Sequence, residues 1–144
     1  IDLDLHLIGG KEERFENIDG VEQIPYLPIN DFIEQVQGAE FCVLPLEPVP
    51  FSFGQMRLLQ QMALRKCVIV SDAPSILDYV ENNRTAIVYE SSNDEELKKQ
   101  MNILCRDLEK RKAIEKASYE FVKQDCNEKN MAERIEVFFE KVLK

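Results

Sequence analysis

The chain has 144 residues, of which 44% are hydrophobic and 31% are charged, and its formal net charge is −9. This composition is typical of a single soluble globular domain. The acidity argues against nucleic-acid binding, which needs a basic face. The apolar runs fall short of the ~20 residues that cross a bilayer, so we predict no transmembrane segment.

The cysteines and the histidine give no metal-binding pattern. Cys42, Cys67, Cys105 and Cys126 are scattered without a Cys-x-x-Cys pair, and His6 is the one histidine. We therefore expect no metal site and predict free thiols in a reducing compartment. The first residues carry no basic signal-peptide region. The expected location is cytoplasmic, with peripheral association with the inner membrane left open for a full-length form.

The charge is unevenly distributed. Residues 1–90 hold 6 basic and 15 acidic side chains, whereas residues 91–144 hold 12 of each. Three of the six basic residues are Arg57, Arg65 and Lys66, so an anionic ligand would be repelled least near them. The alternative is that Arg65 and Lys66 are cations favoured by a helix C-terminus.

The first part of the chain predicts two strands, a helix and a third strand. Residues 2–8 alternate polar and apolar side chains, and residues 21–26 form a second run that prolines end. Asn30 or Asp31 can cap a helix that reaches Gln37 and stops at Gly38. An apolar run over 41–44 then leads into a loop that three prolines stiffen.

The stretch from Phe51 to Asp72 is the most informative part of the sequence. A turn with Ser52 and Gly54 precedes about ten residues without a helix breaker, and the β-branched run Val68-Ile69-Val70 follows. This order predicts a loop, a helix and a buried strand. The expected ligand position is the N-terminus of the helix, where backbone N–H groups point outward.

The rest of the chain predicts one more strand and four helices. Ala73-Pro74 opens a short helix, with Asp72 preferred as its N-cap, and residues 85–89 form the last strand. Three helices follow residue 91, the first starting from a capping box at Ser92 or Asn93. Their apolar stripes are predicted to face the core. These stripes include Leu97, Met101, Leu104, Leu108, Ile114, Ala117, Phe121, Val122, Met131, Ile135, Phe138, Phe139 and Val142.

The alternation of strands and helices predicts the fold class. Five strands in βα order imply an α/β fold with a Rossmann-like, mostly parallel sheet, flanking helices and a helical C-terminal segment. In such sheets ligands bind at the carboxyl ends of the strands.

The stretch Phe51–Asp72 resembles a segment of the C-terminal, donor-nucleotide domains of retaining GT-B glycosyltransferases, family 4 and its relatives. The positions that fall on the family pattern without a gap are Gly54-Gln55, Leu58-Leu59, Met62-Ala63-Leu64, Lys66, Val68-Ile69 and Asp72. Gln60 stands for a glutamate of the family, Arg65 for a glycine and Cys67 for a proline. Ser52 stands at the first position of the family's Glu-x7-Glu pair.

The resemblance implies half of a GT-B architecture and a binding site for a nucleotide-diphosphate sugar, such as a UDP- or GDP-sugar. It implies retaining transfer to an unknown acceptor in polysaccharide or glycoconjugate biosynthesis, without a further cofactor. The implied donor-site residues are Ser52, Phe53, Gly54, Gln55, Met56, Arg57 and Gln60. Ser71, Asp72 and Ser75 would line the cleft. The catalytic residues stay unassigned.

Two other interpretations remain open. The substitutions at Ser52, Gln60 and Arg65 favour a degenerate, non-catalytic module of the same fold that binds or stabilises a partner. Gln60 keeps an acceptor oxygen but loses the charge that strengthens a hydrogen bond. A generic Rossmann-like interaction domain, such as a receiver-type module, is the weaker alternative.

The resemblance begins at what looks like the family domain's second strand. The domain's first strand and the N-terminal domain of the family have no counterpart in residues 1–144, which we predict to be one Rossmann-like domain. Either residues 2–8 pair directly with residues 40–44, or the sequence is a piece of a longer chain, which is the expectation. The expected partner is then a missing N-terminal domain or a partner chain, and the isolated piece is expected to be inactive.

Overall fold

A computed structural model describes residues 3–10 and 12–143. Residue 2, the start of the first predicted strand, lies outside the described residues. The strands are β1 (Leu5–Ile8), β2 (Val21–Ile24), β3 (Cys42–Leu44), β4 (Val68–Ser71) and β5 (Ile87–Tyr89). The helices are α1 (Ile29–Gly38), α2 (Gln55–Ala63), α3 (Asp94–Arg106), α4 (Leu108–Asp125) and α5 (Glu128–Val142). Two short 3-10 helices cover Glu13–Phe15 and Leu77–Tyr79.

The chain divides into two compact units, Ile1–Gly38 and Ala39–Lys144. In the first unit β1 and β2 pair in parallel, from Leu5 opposite Val21 to Ile8 opposite Ile24. A parallel pair needs a crossover between its strands, and residues 9–20 supply it with a 3-10 helix.

Helix α1 follows these strands and buries Phe32 and Val36. It begins at Ile29, so the prediction of a cap at Asn30 or Asp31 is wrong. The N–H of Phe32 donates to the carbonyl of Pro28 at 3.0 Å, so Pro28 directly precedes the helix and its carbonyl accepts an N–H of the first turn.

The second unit contains a three-stranded parallel sheet in the order β3-β4-β5. Every residue of β4 is buried, because a central parallel strand is covered by side chains on both faces. Its β-branched run explains why this strand was predicted. In the part of the chain that the structure describes, all strand pairs are parallel. The predicted α/β class, with parallel sheets flanked by helices, is confirmed.

One hydrophobic cluster of the second unit lies between β4, β5 and the helices α3 and α4. Helix α4 also packs against α2. The buried residues of this cluster are Cys67, Ile69, Ile87, Tyr89, Leu104 and Ile114, with Phe41, Val43, Leu97 and Met101 packed against them. The stripes of α3 and α4 therefore face the core, as their periodicity predicts, at Leu97, Met101, Leu104 and Ile114.

The four cysteines are free thiols. Burial raises the pKa of the Cys42 thiol to about 11 and that of the Cys67 thiol to about 12. Both side chains are therefore protonated at neutral pH and behave as small apolar groups. Cys67, which stands where the resembling family has proline, is part of the core.

Three local predictions are wrong. The helix predicted after Pro74 is a turn and then the 3-10 helix Leu77–Tyr79. Leu108 begins α4 instead of extending the stripe of α3, because Asp107 ends one helix and caps the next. Asn93 does cap α3, accepting from the N–H of Glu96 at 3.0 Å. The Glu96 carboxylate, however, accepts from the N–H of Glu90, so the reciprocal bond of a capping box is absent there.

Helix α5 has no buried residue. Its stripe is exposed: Met131 is 64% exposed, Phe138 60% and Phe139 53%. The prediction that this stripe faces the core is wrong for the described residues. The periodicity identified the apolar face correctly, but it carries no information about what covers that face.

Arg65 occupies the left-handed position that ends α2. Its φ is +59°, and the bonds from Arg65 N–H to Met62 and from Lys66 N–H to Gln61 form a Schellman cap. The Arg65 guanidinium lies 3.8 Å from the centre of the Tyr119 ring. A residue with a Cβ is strained at this φ, and the stacking on Tyr119 offsets part of the strain.

We expect Arg65→Gly to leave the free energy of unfolding close to that of the wild type. It relieves about 1 kcal/mol of backbone strain while removing a cation–π contact of about 0.5–1 kcal/mol. Arg65→Ala keeps the strain and loses the contact, so it should be less stable than Arg65→Gly by about 1 kcal/mol. Urea titrations measure both, and equal stability of the two variants would contradict this account.

Candidate functional site

The start of α2 is a helix N-terminus whose N-cap residue is a glycine. Gly54 occupies the N-cap position with φ +85° and ψ −18°, and as a glycine it supplies no side-chain cap to the helix. The first turn also contains no acidic residue. The first intrahelical bond runs from the N–H of Leu58 to the carbonyl of Gly54 at 3.0 Å. The N–H groups before it and the helix dipole together favour an anion at this point.

Position 54 admits only glycine without rearrangement. A Cβ on Gly54 would lie 2.7 Å from Cδ2 of Leu46 and closer still to Cδ1. The positive φ adds a second reason, since this backbone region is strained for residues with a Cβ. The side chain of Leu46 therefore packs directly against the N-cap residue of α2.

The turn before α2 is tied to the loop after β4. The hydroxyl of Ser75 donates to the carbonyl of Phe53 at 2.8 Å. The side-chain amide of Gln55 donates to the carbonyl of Ser75 at 3.0 Å and to the hydroxyl of Ser52 at 2.7 Å. These three bonds hold the turn, and none of them uses a backbone N–H of the first turn of α2.

Arg57 and Gln60 form a pair on the same helix. Nη1 of Arg57 donates to Oε1 of Gln60 at 3.3 Å, and both residues are half-buried. Arg57 is the third residue of α2, and its guanidinium reaches along the helix to Gln60. Lys66 and Arg65 lie at the other end, where Lys66 donates to the carbonyl of Ala39 at 2.7 Å and Arg65 stacks on Tyr119.

The seven predicted donor-site residues all lie between the turn and the middle of α2. Phe53 is 51% exposed and Met56 is 73% exposed, so the turn and the start of α2 present apolar surface to solvent. Ser52 is also exposed, while Gly54 and Gln55 are half-buried. The arrangement offers backbone donors, one guanidinium and apolar contact area side by side.

The structure assigns different roles to the three residues predicted to line the cleft. Ser71 is 1% exposed and is too deeply buried to line a surface. Ser75 donates to the carbonyl of Phe53, and its own carbonyl accepts from the side-chain amide of Gln55. The prediction that Asp72 caps a helix is wrong: its Oδ1 accepts from the N–H of Ser91 at 2.8 Å and from the Ser91 hydroxyl at 2.7 Å. The partner is 19 residues away, so no local pattern identifies it.

The Asp72 carboxylate should contribute to stability in a pH-dependent way. The two hydrogen bonds from Ser91 lower its pKa in the folded protein. A lowered folded-state pKa stabilises the protein above the unfolded value of about 3.9, and this contribution is lost as the pH falls through the folded-state pKa. We expect Asp72→Ala to be less stable than the wild type at pH 7, with the difference shrinking below about pH 4.

Urea unfolding at several pH values measures this difference. Asp78→Ala, at an exposed aspartate in the neighbouring 3-10 helix, is the matched control. A difference for Asp72→Ala that is unchanged between neutral and acidic pH would contradict the role of the carboxylate.

Within residues 3–10 and 12–143 no group of three or more His, Cys, Asp or Glu side chains could hold a metal ion. Among the same residues, no helix has both the length and the apolar character that a membrane span needs.

Comparison with known structures places the fold in the GT-B class of domains. Sucrose-phosphate synthase from Thermosynechococcus elongatus matches 97% of this chain with a TM-score of 0.78 and 17% identity. A glycosyltransferase from Rickettsia africae matches 99% of it with a TM-score of 0.75 and 17% identity. HepE from Anabaena, solved in complex with UDP-glucose, matches 77% of it with a TM-score of 0.67 and 18% identity.

The sequence profile of the family described as Glycosyl transferases group 1 matches residues 2–121. The chain therefore belongs to this family. It spans 38% of the sucrose-phosphate synthase chain, 41% of the Rickettsia chain and 29% of the HepE chain. A comparison with curated protein sequences finds no match.

Proposed function

We propose that this chain is the donor-nucleotide domain of a retaining, family 4-like glycosyltransferase. It binds a nucleotide-diphosphate sugar, such as a UDP- or GDP-sugar, and transfers the sugar to an acceptor. The donor-site residues in this proposal are Ser52, Phe53, Gly54, Gln55, Met56, Arg57 and Gln60. The observation that carries it is the N-terminus of α2 behind the left-handed Gly54, in a chain of the glycosyl transferases group 1 family.

The diphosphate would occupy the first turn of α2. Its oxygens accept from backbone N–H groups of that turn, where the N-cap Gly54 supplies no competing side chain, and the helix dipole favours its charge. Arg57 adds a cation on the same helix. In an otherwise acidic half of the chain, this combination makes the turn a favourable place for an anion.

The remaining donor groups would be recognised along the same helix. The Gln60 side chain offers an oxygen, which already accepts from Arg57, and an amide that can donate to a sugar hydroxyl. Phe53 and Met56 provide exposed apolar surface for the base or the sugar ring. In the transfer step, the leaving diphosphate gains negative charge, and preorganised N–H groups together with Arg57 stabilise that charge.

A second domain would hold the acceptor. The matched structures are more than twice as long as the region they share with this chain, and one of them was solved with UDP-glucose. We therefore infer that residues 1–144 form one domain of a cytoplasmic protein. This domain acts together with an N-terminal domain or a partner chain. Alone, this domain binds the donor but does not transfer the sugar.

Isothermal titration calorimetry of the protein with UDP, GDP and UMP tests the binding step. We expect measurable affinity for at least one nucleoside diphosphate and weaker affinity for UMP, which lacks the second phosphate. Absence of heat with every nucleoside diphosphate would refute the donor site.

A second candidate function is a non-catalytic domain that keeps the fold as a binding or stabilising module. The side chain at Gln60 favours it, because a neutral amide that pairs with Arg57 stands where the resembling family has a carboxylate and so gives a weaker hydrogen bond to a ligand hydroxyl. Ser52 is a second such position, because its hydroxyl stands where the resembling family has a carboxylate.

Gln60→Glu in the full-length protein separates the two candidates. Under the non-catalytic alternative, transfer is absent in the wild type and restoring the carboxylate raises it markedly or leaves it absent. Under the catalytic proposal, the unaltered protein already transfers sugar. Gln61→Glu, at the adjacent buried position, is the control for adding a charge to α2.

A further inference from the structure

Ser71 is a buried hydroxyl at the carboxyl end of β4. It is 1% exposed, and its backbone pairs with Tyr89 of β5. Its Oγ accepts from the N–H of Leu46 at 2.8 Å and donates to the carbonyl of Leu46 at 2.7 Å. One side chain thus satisfies both backbone groups of a residue 25 positions away.

Leu46 needs this partner because it lies beyond the end of β3, between Pro45 and the prolines that follow. The sheet no longer supplies hydrogen bonds there, and Leu46 is only 8% exposed. Without the Ser71 hydroxyl, a buried N–H and a buried carbonyl would lose their partner, which is costly.

Leu46 in turn contacts the start of α2. Its Cδ2 lies 2.7 Å from the position that a Cβ on Gly54 would occupy, so its methyl groups rest against the glycine itself. The hydroxyl of Ser71 fixes the backbone of Leu46, and the side chain of Leu46 fixes the position of the Gly54 turn. Ser71 is therefore linked, through one intervening residue, to the turn that begins α2.

We infer that Ser71 is a positioning residue for the anion site, acting through Leu46 on Gly54. The inference rests on the proposed function for the identity of the ligand, but the contacts from Ser71 through Leu46 to Gly54 do not depend on it. The bond of Ser75 to the carbonyl of Phe53 holds the same turn from the other loop. Ser71 at the end of β4 and Ser75 in the loop after it thus both hold the turn, Ser71 through Leu46 and Ser75 through Phe53.

Affinity for UDP and GDP, measured by calorimetry on the full-length protein, is the first readout. We expect Ser71→Ala to weaken binding about fivefold or more, the lower end of the coupling between linked sites. Leu46→Ala keeps both backbone bonds to Ser71 but removes the side chain that contacts Gly54, and it should weaken binding similarly. If Ser71 acts through Leu46, the variant that carries both Ser71→Ala and Leu46→Ala should bind at most about twofold more weakly than the weaker-binding single variant.

Ser118→Ala is the matched control. Ser118 is 0% exposed, and its hydroxyl donates to the Glu115 carbonyl within α4, so this variant removes an equally buried serine hydroxyl outside the site. We expect its nucleotide affinity to equal that of the wild type. If Ser71→Ala fails to fold, Ser71→Cys replaces it, because the thiol has a similar shape and is a weak hydrogen-bonding group.

Hydrogen exchange in the ligand-free protein separates this inference from the proposed function. The N–H of Leu58 donates to Gly54, and we expect it to exchange faster in Ser71→Ala and in Leu46→Ala than in Ser118→Ala. If the wild type binds no nucleoside diphosphate, the proposed ligand is wrong and exchange alone decides the link. Unchanged exchange at Leu58 in Ser71→Ala, or equal changes in Ser118→Ala, would overturn the inference.

Discussion

Gly54→Ala is expected to weaken nucleoside diphosphate binding by about tenfold or more, equivalent to at least about 1.4 kcal/mol. The new Cβ would lie 2.7 Å from Cδ2 of Leu46, and the φ of +85° adds about 1–2 kcal/mol of backbone strain. The Leu46 side chain can turn away from the new Cβ, whereas the backbone strain is relieved only by a shift of the turn, which moves the N–H groups of the first turn of α2. Calorimetry with UDP or GDP measures the loss.

Gly38→Ala is the matched control for this variant. A Cβ on Gly38 meets nothing within 4 Å, and this residue ends α1 outside the candidate site. We expect its nucleotide affinity to be unchanged. The account is contradicted if Gly54→Ala binds as tightly as Gly38→Ala while both variants are folded.

Leu104→Ala is expected to lower the free energy of unfolding by about 2–5 kcal/mol. Leu104 is 0% exposed and lies in the core between α3 and the sheet. The truncation removes buried methyl groups and leaves a cavity that the surrounding strands can fill only in part. Denaturant unfolding followed by circular dichroism measures the change.

Leu108→Ala makes the same chemical change at a residue that is 47% exposed and begins α4. We expect its effect on the free energy of unfolding to stay within about 1 kcal/mol. Equal destabilisation by the two substitutions would mean that Leu104 is not part of a packed core, which would contradict the observed burial.

The strands and the main helices could be predicted from local sequence patterns. Val68-Ile69-Val70 gave β4 because a β-branched run between loops fits a strand buried on both faces. Asn93 and Asn127 cap α3 and α5, since their short polar side chains accept from first-turn N–H groups. These signals involve residues only a few positions apart, so one sequence is enough to identify them.

The sequence does not reveal contacts between distant residues. The bond of Ser71 to Leu46 and that of Asp72 to Ser91 join positions 25 and 19 residues apart. Both serines are common residues in unremarkable contexts. Only the parallel sheet order brings the ends of β3, β4 and β5 to one edge, where these pairs form.

The turn at the start of α2 lies between these two cases. Gly54 and the following helix were visible in the sequence, and they predicted an anion site through the general chemistry of helix N-termini. The sequence could not indicate that Leu46 packs against the glycine or that Gln60 pairs with Arg57. The position of the site was predictable, whereas the contacts that hold it in place were not.

A crystal structure of the protein with UDP tests the central claim most directly. The account predicts diphosphate oxygens within about 3 Å of the N–H groups in the first turn of α2, beside Gly54 and Arg57. UDP bound at another surface, with no anion at this turn, would contradict it.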